Sequence, residues 1–354
     1  MEFWTTTVGL PAQVARVAVK AEASGWDGLG LPYAPTMAPD PYVCLAAAAG
    51  ATERLKIGNW VATPASHTPA SAAGSIKTVQ AVSDGRAVLG LGRGDSALAY
   101  LGMAPAPVKF FEAYVRRLRN YLQGDPQPFD LDLDGGGHFP SVDRMGFAQQ
   151  ATDARFAGFM EGIAPVPLDM VATGPKVLGI AARHADRVTT AVGADPERVA
   201  WALSEVHAAR KAASIERPVS LGAWVPVAVI DDLSEGRRML SGVTTSMARF
   251  TAMYGKAVAP VSDADRGVYE RVHDAYELHA HFQEGSPQSR QVSNEFTDRF
   301  AVIGSAETCI ARLRALIDLG IERFVISGPS PATTPDLAAT AARRFEEEVM
   351  PALR

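Results

Sequence analysis

The stretch that decides the fold is Arg86-Ala-Val-Leu-Gly-Leu-Gly-Arg-Gly-Asp-Ser96. An apolar run of strand length, residues 87–91, leads into alternating glycines, and the charged residues Arg93 and Asp95 stand where the strand would end. Glycines at the carboxyl end of a strand leave the backbone bare, so that a flat ligand can lie against it. The stretch therefore predicts a buried strand with a ligand site at its end and a carboxylate beside the ligand.

Short apolar runs of this kind recur along the whole chain. Runs without polar alternation are typical of strands that are buried on both faces, as in a parallel sheet. Eight of them are predicted as strands: residues 3–7, 28–31, 55–61, 87–91, 168–173, 187–191, 219–230 and 323–327.

Helical patterns lie between these strands. Asp40-Pro41, Thr68-Pro69 and Asp195-Pro196 each place an N-cap side chain before a proline at the first helical position. Eight strands that alternate with helices indicate an α/β fold, and more narrowly a (β/α)8 TIM barrel. Because two connections are too long for a bare barrel, we expect a single domain, residues 1–354, with insertions after strands 4 and 7 at roughly 125–167 and 233–299.

Composition and charge narrow the function class. The chain has 354 residues and a net charge of −5, with its Lys and Arg scattered, so a nucleic-acid partner is not expected. No apolar run reaches membrane-spanning length and the first residues lack a signal-peptide pattern, which predicts a cytoplasmic protein without a membrane partner. Cys44 and Cys309 lie in apolar helical patterns and are expected to be buried, reduced thiols.

The active site of a TIM barrel lies at the carboxyl ends of its strands. Hydroxyls, glycines and cations gather at the predicted strand ends, which favours a small-molecule site on that rim. The residues in question are Thr6-Thr7, Pro32-Tyr33, Ala62-Thr63, residues 93–96, residues 173–176, Gly193 and residues 327–330.

Two features of this rim have alternative interpretations. Thr173-Gly174-Pro175-Lys176 opens a helix, where backbone N–H groups beside a lysine make a phosphate cradle, or where Thr173 simply caps a tight turn. Asp95 faces a ligand, or it is a turn residue that caps the next helix.

The glycine run does not match a dinucleotide-binding motif. Its spacing is Gly-x-Gly-x-Gly, and no acidic residue ends a second strand about twenty residues further on. His279 and His281 are two residues apart, which does not suit a pair of metal ligands on a helix, and no zinc pattern is present. We therefore expect no metal.

Six segments of the chain match a known family in its own order: residues 25–30, 40–58, 67–70, 83–96, 172–176 and 300–305. In these segments the chain resembles the luciferase-like monooxygenases, and more narrowly the branch that uses the deazaflavin coenzyme F420. That branch includes methylenetetrahydromethanopterin reductase. The resemblance implies an oxidoreductase that transfers a hydride between coenzyme F420 and a small organic substrate, and it implies a homodimer. An FMN-dependent monooxygenase that uses molecular oxygen and a non-catalytic ligand-binding homologue remain open.

The resemblance also implies roles for individual residues. It places a non-prolyl cis peptide bond at Trp60–Val61, in a bulge behind the cofactor ring, and it makes Asp95 a lone acid beside the hydride-bearing atom. The cofactor-binding residues it implies are Trp60, Val61, Thr63, Gly92, Arg93, Gly94, Ser96, Thr173, Gly174, Pro175 and Lys176.

One position departs from the family pattern. Many members end the second strand with an acidic residue next to a histidine, whereas this chain reads Pro32-Tyr33-Ala34. Tyr33 is therefore a second catalytic candidate. Either Tyr33 donates the proton, or Asp95 does so alone.

Overall fold

The computed structural model describes residues 1–258 and 260–354. Its strands in chain order are β1 Glu2–Thr6, β2 Gly28–Leu31, β3 Lys56–Asn59, β4 Ala87–Leu91, β5 Leu168–Ala172, β6 Arg187–Thr190, β7 Ser220–Val229, β8 Val302–Gly304 and β9 Arg323–Ser327.

Eight of these strands form a closed parallel barrel. Each strand from β1 to β7 pairs in parallel with the next, and β9 closes the ring between β7 and β1. All eight predicted strands are present within a few residues of their expected bounds, so the predicted (β/α)8 barrel is confirmed.

The strand β8 was not predicted. It has three residues, and it pairs with residues 227–229 of β7, which is ten residues long and extends beyond the barrel. A three-residue strand is too short to show a pattern of its own in the sequence. It forms because the part of β7 that extends beyond the barrel offers it a pairing partner.

Helices surround the barrel. In chain order they are α1 Pro11–Ala23, α2 Pro41–Ala51, α3 Pro69–Val82, α4 Ser96–Ala99, α5 Val108–Gln123, α6 Leu131–Gly135, α7 Pro175–His184, α8 Pro196–Ala212, α9 Leu233–Ala248, α10 Asp263–Asp274, α11 Asn294–Phe300, α12 Ala306–Asp318 and α13 Pro335–Arg344. Among the described residues, no helix is both long and apolar enough to cross a membrane.

The predicted helix starts are confirmed at atomic detail. The Asp40 carboxylate accepts hydrogen bonds from the backbone N–H of Tyr42 at 2.9 Å and of Val43 at 3.1 Å. Thr68 and Asp195 accept in the same way at the starts of α3 and α8. Both cysteines are buried free thiols, as expected.

The two predicted insertion segments differ in how they are packed. In the first, α6 and the 3-10 turns Val142–Met145 and Gly158–Met160 contain no buried residue. In the second, α9, α10 and α11 enclose an apolar cluster of their own, which includes Leu240, Met247 and Phe296. The second segment is therefore a packed element that can hold side chains in place over the barrel.

Charged residues close the amino-terminal end of the barrel. Arg323 and Asp169 are fully buried and pair at 2.9 Å, and Arg187 lies 3.2 Å from the same Asp169 oxygen. Glu2 accepts hydrogen bonds from Arg187 at 2.5 Å and from Lys56 at 2.8 Å. We call this set the closed-end network.

Candidate active site

The end of β3 contains a cis peptide bond between Trp60 and Val61, at the position that the family resemblance predicted. Beyond this bond the chain pairs with β4 again, because Ala62 donates to the Gly90 carbonyl and accepts from the Gly92 N–H, both at 2.9 Å. The bond therefore lies in a bulge between two stretches of regular pairing, and Val61 is half-buried at the open end of the barrel.

The glycines of β4 make room for this bulge. A Cβ atom on Gly90 would lie 2.0 Å from the carbonyl oxygen of Asn59, and one on Gly92 would lie 2.8 Å from a methyl group of Val61. Protein atoms therefore fill the space on the Cβ side of these two glycines, and the role of Gly92 in cofactor binding stays a prediction. Gly94 has a φ of +93°, which turns the chain after the strand.

Asp95 occupies the N-cap position of α4, but its side chain makes no capping hydrogen bond. The carboxylate forms an ion pair with Arg249 instead, and the two side chains are 15% and 11% exposed. The expectation of a lone acid was therefore wrong. Sequence reasoning missed Arg249 because it lies 154 positions away and no local pattern links the two residues.

The second insertion segment supplies further groups around Arg249. Its guanidinium carbon lies 4.3 Å from the ring centre of Tyr276, whose hydroxyl contacts the Nδ1 atom of His281 and lies 3.4 Å from the Ser246 hydroxyl. Burial and the nearby Arg249 lower the pKa of His281 to about 4, so its imidazole is neutral at pH 7. Burial would lower the pKa of Arg249, but Asp95 and Tyr276 raise it above its ordinary value.

Tyr33 lies in a separate aromatic group at the ends of β2 and β3. Its ring centre is 5.5 Å from that of His67 and 6.4 Å from that of Tyr42. Burial raises the pKa of Tyr33, which the Ser66 hydroxyl partly opposes. Ser66 in turn lies 3.1 Å from the hydroxyl of the buried Thr63. The two catalytic candidates therefore have different partners, with Tyr33 among aromatic and hydroxyl groups and Asp95 against a guanidinium.

The turn before α7 is free of a side-chain cap. The helix begins at Pro175 after Gly174, and the Thr173 hydroxyl donates to the carbonyl of Ala191 at 3.2 Å instead of accepting from the first N–H groups of the helix. The alternative that Thr173 caps this turn is therefore wrong. Lys176 is exposed beside the first turn, so an anion can reach both the helix terminus and the ammonium group.

Three contacts join this rim to the second insertion segment. Arg93 lies over the ring of Tyr254, with its guanidinium carbon 5.8 Å from the ring centre. Asp95 pairs with Arg249, and a Cβ atom on Gly174 would lie 3.7 Å from a methyl group of Val258. The segment thus lies over the strand ends that contain the predicted residues. Across residues 1–258 and 260–354, no three His, Cys, Asp or Glu side chains gather into a metal site.

Comparisons with known proteins agree with this architecture. The sequence model of the luciferase-like monooxygenase family matches residues 4–323. A 5,10-methylenetetrahydromethanopterin reductase from Methanolobus tindarius is 24% identical over 323 residues, which cover 90% of each chain.

Solved structures share the fold at lower identity. The coenzyme F420-dependent tetrahydromethanopterin reductase from Methanopyrus kandleri has a TM-score of 0.74 and 18% identity, covering 100% of this chain and 99% of its own. The oxygenating constituent of 3,6-diketocamphane monooxygenase from Pseudomonas putida, solved with FMN, has a TM-score of 0.65 and 15% identity, covering 99% and 98%. At these identities the two structures establish the barrel and not the cofactor.

Proposed function

This chain belongs to the luciferase-like monooxygenase family, and from that membership we propose that it is an oxidoreductase that transfers a hydride between coenzyme F420 and a small organic substrate. The observation that carries the proposal is the Asp95 carboxylate at the open end of the barrel, in the loop that follows β4, the strand next to the bulge at Trp60–Val61. The similarity to a methylenetetrahydromethanopterin reductase over 90% of the chain supports it.

The residues at the open end fit a flat ring with a phosphate tail. The start of α7 lacks a side-chain cap and has Lys176 beside it, which suits a phosphate. Gly174 itself adds no side chain at this helix start, and the nearest described neighbour is Val258, with a methyl group 3.7 Å from where a Cβ atom would stand. Val61 and Thr63 with the loop of residues 92–96 would hold the ring, while residues 173–176 would hold the phosphate.

When bound, a deazaflavin supplies or accepts the hydride at a carbon atom of its ring. The chain itself must orient the substrate, exclude water and move the accompanying proton. Asp95 is the group we assign to the proton, because it is a carboxylate with only 15% exposure at the strand ends. The segment that contains Arg249 and Tyr254 lies over this end and restricts the access of water.

An FMN-dependent enzyme would use the same phosphate cradle, the start of α7 with Lys176. FMN also has a phosphate, so the uncapped start of α7 and Lys176 suit either cofactor. A flavin would bring oxygen chemistry, whereas a deazaflavin is restricted to hydride transfer. The cofactor therefore decides the reaction class, and the cradle does not discriminate between the two.

A titration with both cofactors tests the proposal. We expect the purified protein to bind coenzyme F420 more tightly than FMN, and to oxidise or reduce it in the presence of a small organic partner. Absorption spectra recorded in air and under nitrogen check this, because only a bound reduced flavin would consume oxygen rapidly. Tight binding of FMN with oxygen consumption would replace the proposal by the monooxygenase, and binding without turnover would favour the non-catalytic homologue.

The homodimer also remains a proposal. The outer helices α1, α2 and α3 leave several valines exposed, among them Val17, Val43 and Val82. Small apolar side chains at the surface of neighbouring helices suit packing against a second copy. Light scattering of the purified protein gives the mass that decides this. The expected cytoplasmic location stays a prediction.

A further inference from the structure

The two oxygens of the Asp95 carboxylate have different surroundings. Oδ2 forms the ion pair with Arg249. Within the described part of the chain, Oδ1 accepts no hydrogen bond from the protein. The atom is also not buried, because it is absent from the set of buried side-chain atoms without a hydrogen-bond partner. Oδ1 is therefore accessible at the open end of the barrel, while Oδ2 is held.

Arg249 is itself held from the insertion side. It follows the last residue of α9 and stacks on Tyr276 at 4.3 Å. Tyr276 is fixed by contacts with His281 and Ser246, and the Ser246 hydroxyl also accepts from the Phe282 N–H at 3.0 Å. The orientation of the guanidinium is thus set by a packed cluster and not by Asp95 alone.

Two arginines on α9, the helix that ends just before Arg249, show what a purely structural ion pair looks like here. Arg237 binds both oxygens of Asp298, at 2.8 and 2.7 Å. Arg238 binds both oxygens of Glu284, at 2.5 and 2.7 Å. Of these three pairs, only the one with Asp95 leaves a carboxylate oxygen without a partner among the described residues, and only that one lies at the strand ends.

From this contrast we infer that Arg249 is a positioning residue, which holds Oδ2 of Asp95 so that Oδ1 meets the reacting group of the substrate. The inference rests on the proposed function, because it assigns the proton to Asp95. It makes the insertion after β7 a part of the catalytic apparatus, since Tyr276 and His281 hold Arg249, and Arg249 holds Asp95. Misplacement of a reacting group by about 1 Å is enough to slow turnover about 100-fold.

The test compares Arg249→Gln, Arg249→Lys, Asp95→Asn and the double variant Asp95→Asn with Arg249→Gln. Arg237→Gln is the matched control, since it removes an arginine–carboxylate pair from α9, the helix that ends just before Arg249. We expect Arg249→Gln to lower kcat about 100-fold while the Kd for the cofactor changes less than about threefold. Arg249→Lys should regain about tenfold, because a lysine restores the charge but not the planar fork. Arg237→Gln should stay within about twofold of wild type.

The double variant separates positioning from independent effects. If Arg249 acts through Asp95, the double variant turns over within about threefold of Asp95→Asn alone. The inference would be overturned if the kcat losses of the two single variants multiplied in the double variant, or if the kcat of Arg249→Gln stayed within threefold of wild type. A loss that appears only as weaker cofactor binding would also overturn it.

A second readout does not depend on turnover. Urea unfolding of the protein without cofactor should show that the midpoint shifts of the two single variants do not add in the double variant. Additive shifts contradict the pairing itself. If the wild type proves to use FMN, the proposed function fails while the same cycle, measured with that turnover, still decides the role of Arg249.

Discussion

The two ends of the barrel both contain arginine–carboxylate pairs, and they use them differently. At the closed end, Asp169 is fully buried and both of its oxygens are bound, Oδ1 by Thr189 at 2.9 Å and Oδ2 by Arg323 and Arg187. At the open end, Asp95 is 15% exposed and only one oxygen is held. A carboxylate with every acceptor site occupied can only fix the structure, whereas one with a free oxygen can take part in chemistry.

The largest expected effect is at the open end. Replacing Asp95 by Asn keeps the shape of the side chain and removes its ability to take a proton. We expect turnover to fall by roughly two to four orders of magnitude, with cofactor binding nearly intact. Steady-state kinetics and a binding titration check this. Wild-type turnover in the variant would remove the contrast between the two ends.

The matching change at the closed end is Asp169→Asn. It leaves the buried Arg323 and Arg187 without their shared counter-charge, which should destabilise the fold by about 3–5 kcal/mol. Urea unfolding measures the loss, and turnover per folded molecule should stay near that of wild type. A variant of normal stability with impaired catalysis would mean that the roles of the two ends have been assigned the wrong way round.

The closed end should also respond to acid. Burial alone would raise the pKa of Glu2, but Arg187, together with Lys56 and Trp4, lowers it from 4.5 to about 2. Because the folded pKa lies below the unfolded one, the stabilisation is complete above pH 4.5 and is lost as the pH falls towards 2. The contribution is at most about 3 kcal/mol.

Urea unfolding between pH 7 and pH 2.5 measures this dependence, with Glu2→Gln as the comparison. The variant should lose the part of the pH dependence that arises from Glu2. An unchanged slope in the variant would show that Glu2 is not an ionic member of the closed-end network.

A smaller loss of stability is expected where β4 packs against the end of β3. Gly90→Ala forces a methyl group against the Asn59 carbonyl, which should cost about 1–3 kcal/mol of stability. Gly50→Ala is the control, because Gly50 is an exposed residue in α2 with open space beside it and should be neutral or slightly stabilising. Equal stabilities in thermal unfolding would contradict the close packing of β3 and β4.

Much of the barrel was predictable because its signals are local. An apolar run of five residues, such as 87–91, indicates a buried strand, and Asp40-Pro41 marks a helix start within two residues. The cis bond at Trp60–Val61 was predicted from the resemblance to the family, and no pattern within the chain would have shown it. The packing role of Gly90 and Gly92 was not predicted, since glycines that admit a neighbouring strand look the same in sequence as glycines that admit a ligand.

The amino-acid sequence alone determined the eight strands, the helix starts and the rim on which Thr63, Asp95 and Lys176 stand, because each depends on residues that are close together in the chain. Only the tertiary structure decided that Arg249 meets Asp95, that Tyr33 lies with His67, and that the closed end is sealed by Asp169 and Arg323. These contacts join residues from different strands and insertions. They exist only once the barrel has closed, since closure brings distant segments together at each end of the barrel.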